Sequence, residues 1–198
     1  MILIYDTETT GFPKGNLPLD HESQPYIVQL AMELCGDDGR TAASFCAVID
    51  NGVDIPEKAS AVHGITRERA AEIGIAPALA DECFTSFYNR ADLIVAHNAD
   101  FDKKLVEIAM ARRFASPKYT LQKPFFCTMT TAAPIVNIPP TERMLAAGFN
   151  KPKSPKLEEC IRHFFGEDLP GAHDAMVDVA ACKRVYLQLK ALESQAAS

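Results

Sequence analysis

The chain opens Met1-Ile2-Leu3-Ile4-Tyr5-Asp6-Thr7-Glu8-Thr9-Thr10-Gly11. The apolar run 1–6 gives way to Thr-Thr-Gly, the pattern of a buried strand that ends in a turn. Side chains alternate along a strand, so Asp6 and Glu8 project to the same side of the sheet. One strand thus offers two oxygen ligands side by side.

Working outward, residues 26–35 and 41–50 read as strands joined by Gly36-Asp37-Asp38-Gly39, a strong turn signal, which makes a three-stranded antiparallel start. Helical spacing follows at 66–73 and 77–89, then an apolar strand at 92–98 and a helix at 100–114. A last short strand is expected at 125–129, and helices at 141–147, 155–165 and 173–193. Strands first, then strand and helix alternating, predict an α/β sheet with helices packed on it. At 198 residues the chain fits one domain, 1–198, with 194–198 as a frayed tail. The loop 12–25, rich in Pro, Gly and Asn, reads equally as functional or mobile.

Composition narrows the function. Hydrophobic residues make up 47% and charged residues 23%, as in ordinary folded proteins. The start shows no basic leader and no apolar run approaches the length that spans a bilayer, so the expectation is a cytoplasmic protein without a membrane partner. The six cysteines include no Cys-x-x-Cys pair, which leaves a zinc site or disulfide framework poorly supported. A formal charge of −6 argues against a broad basic surface for gripping long duplexes. A strand end held through metal ions needs few lysines. Lys151, Lys153 and Lys156 read either as phosphate contacts or, more simply, as a solvated face.

Two further acids sit where apolar residues belong. Asp102 shares a helical stripe with Leu105, Val106 and Ala109, and Asp178 shares one with Ala181, Val185, Leu189 and Leu192. An ionised carboxylate facing a core costs several kcal/mol or more unless it is paired or binds a metal. Carboxylate oxygens suit hard cations such as Mg²⁺ or Mn²⁺. Two such ions ~4 Å apart stabilise both the attacking and the leaving oxygen of an in-line phosphoryl displacement. Taken singly, each acid also reads as a turn residue, a cap or a first-turn acid favoured by the helix dipole. His173, five residues before Asp178, falls about 140° away around a continuous helix, which places it on the loop or first turn before that helix. There it can serve as a general base near neutral pH, or simply cap the helix.

Asp6-Thr7-Glu8-Thr9-Thr10-Gly11, His97-Asn98-Ala99-Asp100-Phe101-Asp102 and His173-x-x-x-x-Asp178 resemble, in order and spacing, the three motifs of the DEDD exonuclease superfamily. The histidine five before the last aspartate is similar to the DEDDh branch, which includes the epsilon proofreading subunit, ribonuclease T and oligoribonuclease. The resemblance implies a ribonuclease H-like fold with a central mixed sheet of five strands flanked by helices. It implies that Asp6, Glu8, Asp102 and Asp178 hold two divalent metal ions and that His173 activates the attacking water. It implies a nucleic-acid 3′ end as partner, with single-stranded DNA favoured over RNA, and admits a polymerase or other DNA-processing protein beside it. Val62-His63-Gly64-Ile65-Thr66 looks like a segment that in relatives lies beside the terminal nucleotide, so His63, Gly64 and Ile65 join Thr9, Thr10, Gly11, Asn98 and Phe101 as candidate substrate contacts. An endonuclease of ribonuclease H type shares the sheet and the carboxylates. His173 and the 62–66 segment favour recognition of an end.

Overall fold

The computed structural model describes residues 1–196. Its sheet contains β1 (Ile2–Thr9), β2 (Ile27–Cys35), β3 (Thr41–Val48), β4 (Leu93–Ala96) and β5 (Phe125–Cys127), in the order β3-β2-β1-β4-β5. The helices are α1 (Glu57–His63), α2 (Arg67–Ile73), α3 (Pro77–Arg90), α4 (Ala99–Arg113), α5 (Thr128–Val136), α6 (Glu142–Ala146), α7 (Leu157–Phe165) and α8 (Ala175–Ala196). β1, β2 and β3 pair antiparallel, while β4 runs parallel to β1 and β5 parallel to β4. This is the expected mixed sheet, and its 36–39 turn closes with Gly39 in the left-handed region at φ 77.

β1 is apolar on both sides because both sides are covered. Leu3 and Tyr5 pack with Met32, Phe84, Leu105 and Met110 toward α3 and α4, whereas Ile2 and Ile4 pack with Val179, Cys182 and Tyr186 of α8. α7 and α5 complete that second layer, with Cys160, Ile161 and Ala132 against Val185 and Leu189. Burying each large apolar side chain is worth about 1.5–3 kcal/mol, so the two layers fix the direction of every β1 side chain. Asp6 and Glu8 continue the series of Ile2 and Ile4, and Thr7 continues that of Leu3 and Tyr5.

β1 also outruns its parallel neighbour. Its pairing with β4 covers only Ile2 to Ile4, while its pairing with β2 continues to Thr9 opposite Ile27. The two acids therefore stand on an overhang beside the C-terminal end of β4, the place where open α/β sheets form ligand crevices. The apolar run ends at Asp6, yet the strand continues to Thr9 because Thr7, Glu8 and Thr9 stay in the ladder despite their polarity.

Other differences have equally local causes. α1 buries no residue, so it has no apolar period to betray it. α5 is threonine-rich with Pro134 inside, and its first residues pass for a continuation of β5. The expected frayed tail from Ser194 is helical as far as Ala196, and its last two residues lie outside the described region. The 12–25 loop is tied down. Arg112 of α4 donates to the carbonyls of His21 (3.1 Å), Gln24 (2.6 Å) and Pro25 (2.8 Å), and its guanidinium lies 3.7 Å from the Tyr26 ring centroid. The Gln24 amide bonds Lys14 in both directions at 2.9 Å.

Candidate active site

Three elements bring the four acids together. Asp6 and Glu8 come from the β1 overhang. Asp102, only 3% exposed, comes from the first turn of α4, and its Oδ1 accepts the Thr7 hydroxyl at 2.7 Å. Asp178 comes from the first turn of α8, where its Oδ2 accepts the main-chain N–H of His173 at 2.9 Å. Gln29 of β2 receives the Ala175 N–H at 3.4 Å and so anchors the start of α8 beside Glu8, its own ladder partner. His173 is exposed on the preceding loop at φ 73, a left-handed conformation uncommon for a non-glycine residue.

The electrostatics show what this gathering costs. Burial raises Asp6 well above the carboxylate range, and the charges of Asp102, Asp178 and Glu8 add to it. Burial, followed by Asp178 and Asp102, pushes Glu8 up to about 8. Burial lifts Asp102 to about 7 against the opposing Thr7 hydrogen bonds. Burial raises Asp178 while the His173 N–H draws it back. Among the described residues no lysine or arginine pairs with any of the four. Buried acids elsewhere are satisfied: Glu107 accepts from Leu121 N (3.2 Å), Thr120 Oγ1 (3.0 Å) and Lys104 (3.3 Å), and Glu33 pairs with Lys183.

A crowd of oxygen donors lacking a counter-charge fits hard divalent cations. Ligand atoms of Glu8, His173 and Asp178 lie within 4.8 Å of one another, a metal-competent trio that joins the histidine to two of the four acids. Asp6 and Asp102 adjoin it, near enough to shift in response to the others' charges.

Cavities open on both sides of the acids. One of about 330 Å³ takes in Asp6, His97, Asn98, Lys156, His173 and Asp178. The other, about 450 Å³, takes in Glu8, Gly11, Phe12, Lys58, His63 and Phe101, with Thr9 and Thr10. The side chains of Thr9 and Thr10 are already committed, to Gly11 O (2.8 Å) and to the Tyr26 N–H (2.9 Å). His63 reaches the cavity with Nε2 3.3 Å from Thr9 O, whereas Gly64 is the left-handed cap of α1 and Ile65 is buried against Val28 and Ala70. A third cavity of about 340 Å³, between α3 and α4, is lined mainly by apolar side chains and includes none of the acids named above.

Sequence reasoning passed over three participants. Thr7 was hidden by pointing away from its neighbours. Phe12, 82% exposed and edge-on to Phe101 at 5.7 Å between ring centroids, follows directly on the Gly11 turn, and that placement was its signal. His97 stands in the second motif without an evident role. Its Nε2 lies 3.0 Å from Pro155 O, which can only accept, so Nε2 carries the proton and Nδ1 accepts from the Thr128 hydroxyl at 2.9 Å. Burial lowers His97 to about 4, which keeps this neutral form at pH 7.

The family model described as Exonuclease (RNase_T) matches residues 3–186, from β1 into α8. The chain belongs to the Exonuclease family. This membership accords with the DEDD motifs. The exonuclease chain is 35% identical over 122 residues to a DNA polymerase III subunit epsilon-like protein of Rhodobacter capsulatus, a match covering 58% of this chain and 16% of that protein. Its fold is similar to that of E. coli exonuclease I in a zinc-bound complex with single-stranded DNA, at TM-score 0.74 and 19% identity, covering 98% of this chain and 41% of that one. A moderately thermophilic exonuclease I from Methylocaldum szegediense gives TM-score 0.70 and 20% identity over 96% of this chain and 40% of that one. The chain thus spans less than half the length of these relatives, and the sheet they share is ribonuclease H-like. Among the described residues no helix is long and apolar enough to cross a membrane.

Proposed function

We propose that this domain hydrolyses the terminal phosphodiester at the 3′ end of single-stranded or frayed DNA, releasing nucleoside 5′-monophosphates one at a time. The observation that carries this reading is the convergence of Asp6, Glu8, Asp102 and Asp178, without a basic partner, beside an exposed His173. Two divalent ions, Mg²⁺ or Mn²⁺, held by the four carboxylates supply charge neutralisation at the phosphate and a more acidic water. His173 accepts the proton of the attacking water at an imidazole nitrogen. The new P–O bond forms in line with the P–O3′ bond that breaks, and the shortened strand keeps a 3′-hydroxyl. Thr7 holds Asp102 in orientation. The cavity of Phe12, His63 and Phe101 receives the terminal base and sugar, since apolar rings and main-chain amides suit both.

The preference for DNA rests on the exonuclease I relative solved with single-stranded DNA. The test is digestion of 5′-labelled linear DNA and RNA oligomers, and of internally labelled circles, with Mg²⁺, Mn²⁺ or chelator. We expect a ladder shortened from the 3′ end on linear DNA, no cutting of circles, and no activity in chelator. Asp6→Ala and Asp178→Ala proteins that fold normally yet digest at the wild-type rate would remove the reading. Faster digestion of RNA would reassign the substrate.

A further inference from the structure

Between α5 and α7 the chain leaves the two cores and forms an arm, residues 137–153. Ile138 and Lys153 close its base as an antiparallel bridge, with Lys153 N–H donating to Ile138 O at 3.0 Å. Inside it, α6 and a 2.9 Å hydrogen bond from Phe149 N–H to Met144 O shape the tip. The arm buries little of what it carries: Leu145 is 50% exposed and Phe149 65%.

The arm is also where positive charge collects. Residues 137–156 contain Arg143, Lys151, Lys153 and Lys156 against the single acid Glu142, in a chain of formal charge −6. Lys153 and Lys156 are engaged, by Glu159 at 2.7 Å and Glu158 at 3.3 Å. Arg143 and Lys151 have no side-chain partner among the described residues.

The base of the arm is a wall of the site. Ser154, Pro155 and Lys156 line the same cavity as Asp6, His173 and Asp178, and His97 fastens Pro155 there through its Nε2 proton. If the terminal nucleotide sits in the Phe12 and Phe101 cavity and the scissile phosphate at the acids, the rest of the strand leaves across this opposite wall. We infer that the arm is the platform for the nucleic-acid strand upstream of the scissile bond: Phe149 stacks on a base, and Arg143 and Lys151 contact phosphates. The inference rests on the exonuclease reading above. Unpaired cations around an exposed ring match a single-stranded polyanion better than an acidic-faced protein, which would leave the ring idle.

The test compares wild type, Phe149→Ala and the double variant Arg143→Gln/Lys151→Gln. Two substrates are used, dT20 and the p-nitrophenyl ester of thymidine 5′-monophosphate, which is too short to reach the arm. Phe149→Ala is expected to lower kcat/KM on dT20 about tenfold with the ester turned over as before. The double variant is expected to flatten the slope of log KM against log salt by about 1.4 on dT20, the value for two single-strand phosphates. Unchanged dT20 kinetics, or equal losses on both substrates, would overturn the proposal. Anisotropy of labelled dT20 in EDTA reads the arm without turnover: binding lost in the variants supports it, and equal binding overturns it. A wild type inert on both substrates whose strand binding still depends on the arm would remove the nuclease reading and leave the platform standing.

Discussion

The hydroxyl of Thr7 reaches through the β1 overhang to Asp102 at 2.7 Å, from a residue whose two neighbours in the motif, Asp6 and Glu8, face the other way. One strand thus presents two acids on one face and orients a third from the opposite face. The bond also holds the Asp102 carboxyl below where burial alone would put it. Thr7→Val keeps the shape and removes the donor. We expect about 10–100-fold weaker half-saturation by Mn²⁺, the usual scale for a residue that orients a ligand, with the melting temperature changed by only a few degrees. An unaltered metal titration would show that Thr7 is a strand residue and nothing more.

His173 carries two separable contributions. Its main-chain N–H serves Asp178 whatever the side chain, so substitution spares that bond. Its left-handed φ of 73 favours glycine. His173→Gly is therefore expected to be at least as stable as His173→Ala, by up to about 1–2 kcal/mol. Both should lose about 10²–10⁴-fold in kcat. Retention of the acidic limb of the pH–rate profile in either variant would argue that another group takes the proton.

The raised carboxyls make stability depend on pH. Without metal, Glu8 titrates near 8 and Asp102 near 7 in the folded protein, far above their values of 4.5 and 3.8 in an open chain. The folded state then holds protons more tightly, so this contribution is complete below about pH 4 and disappears as pH rises through 7 to 8. In EDTA the melting temperature should fall by about 5 °C or more between pH 5.5 and 8.5, and Glu8→Gln should flatten the trend. Mn²⁺ should stabilise more at pH 8.5 than at pH 5.5. A melting temperature that ignores both pH and Mn²⁺ would mean the acids are not gathered.

Arg112 offers a test remote from the acids. Arg112→Ala strips the donor from the carbonyls of His21, Gln24 and Pro25. Bonds to a charged group of this kind support a loss of about 2–3 kcal/mol, or about 5–10 °C in a protein of this size. Lysine, a single point of charge, should restore little. Limited proteolysis should cut the variant within 12–25, and an unchanged digest would show that the Gln24 hydrogen bonds suffice.

The strands and the acids were legible for one reason: polar residues interrupted strong apolar periods. Asp102 and Asp178 announced themselves by occupying core stripes, and both prove buried. α1 gave no such signal because all its residues stay partly or fully exposed, and α5 hid behind threonines that suit a strand equally well. The same blindness covered Thr7, whose role depends on what lies across the sheet. It covered Glu107 from the opposite side: an acid as buried as Asp102, but already satisfied by its neighbours.

Alternation along β1 has a consequence for folding. Were the strand to slip by one position against β2, Asp6 and Glu8 would turn inward among Phe84 and Leu105, and Tyr5 would be forced into the layer that Val179 and Cys182 of α8 already fill. The two carboxyls of β1 permit only one alignment at low energy. The groups that equip the crevice for chemistry also guard the chain against assembling in the wrong frame.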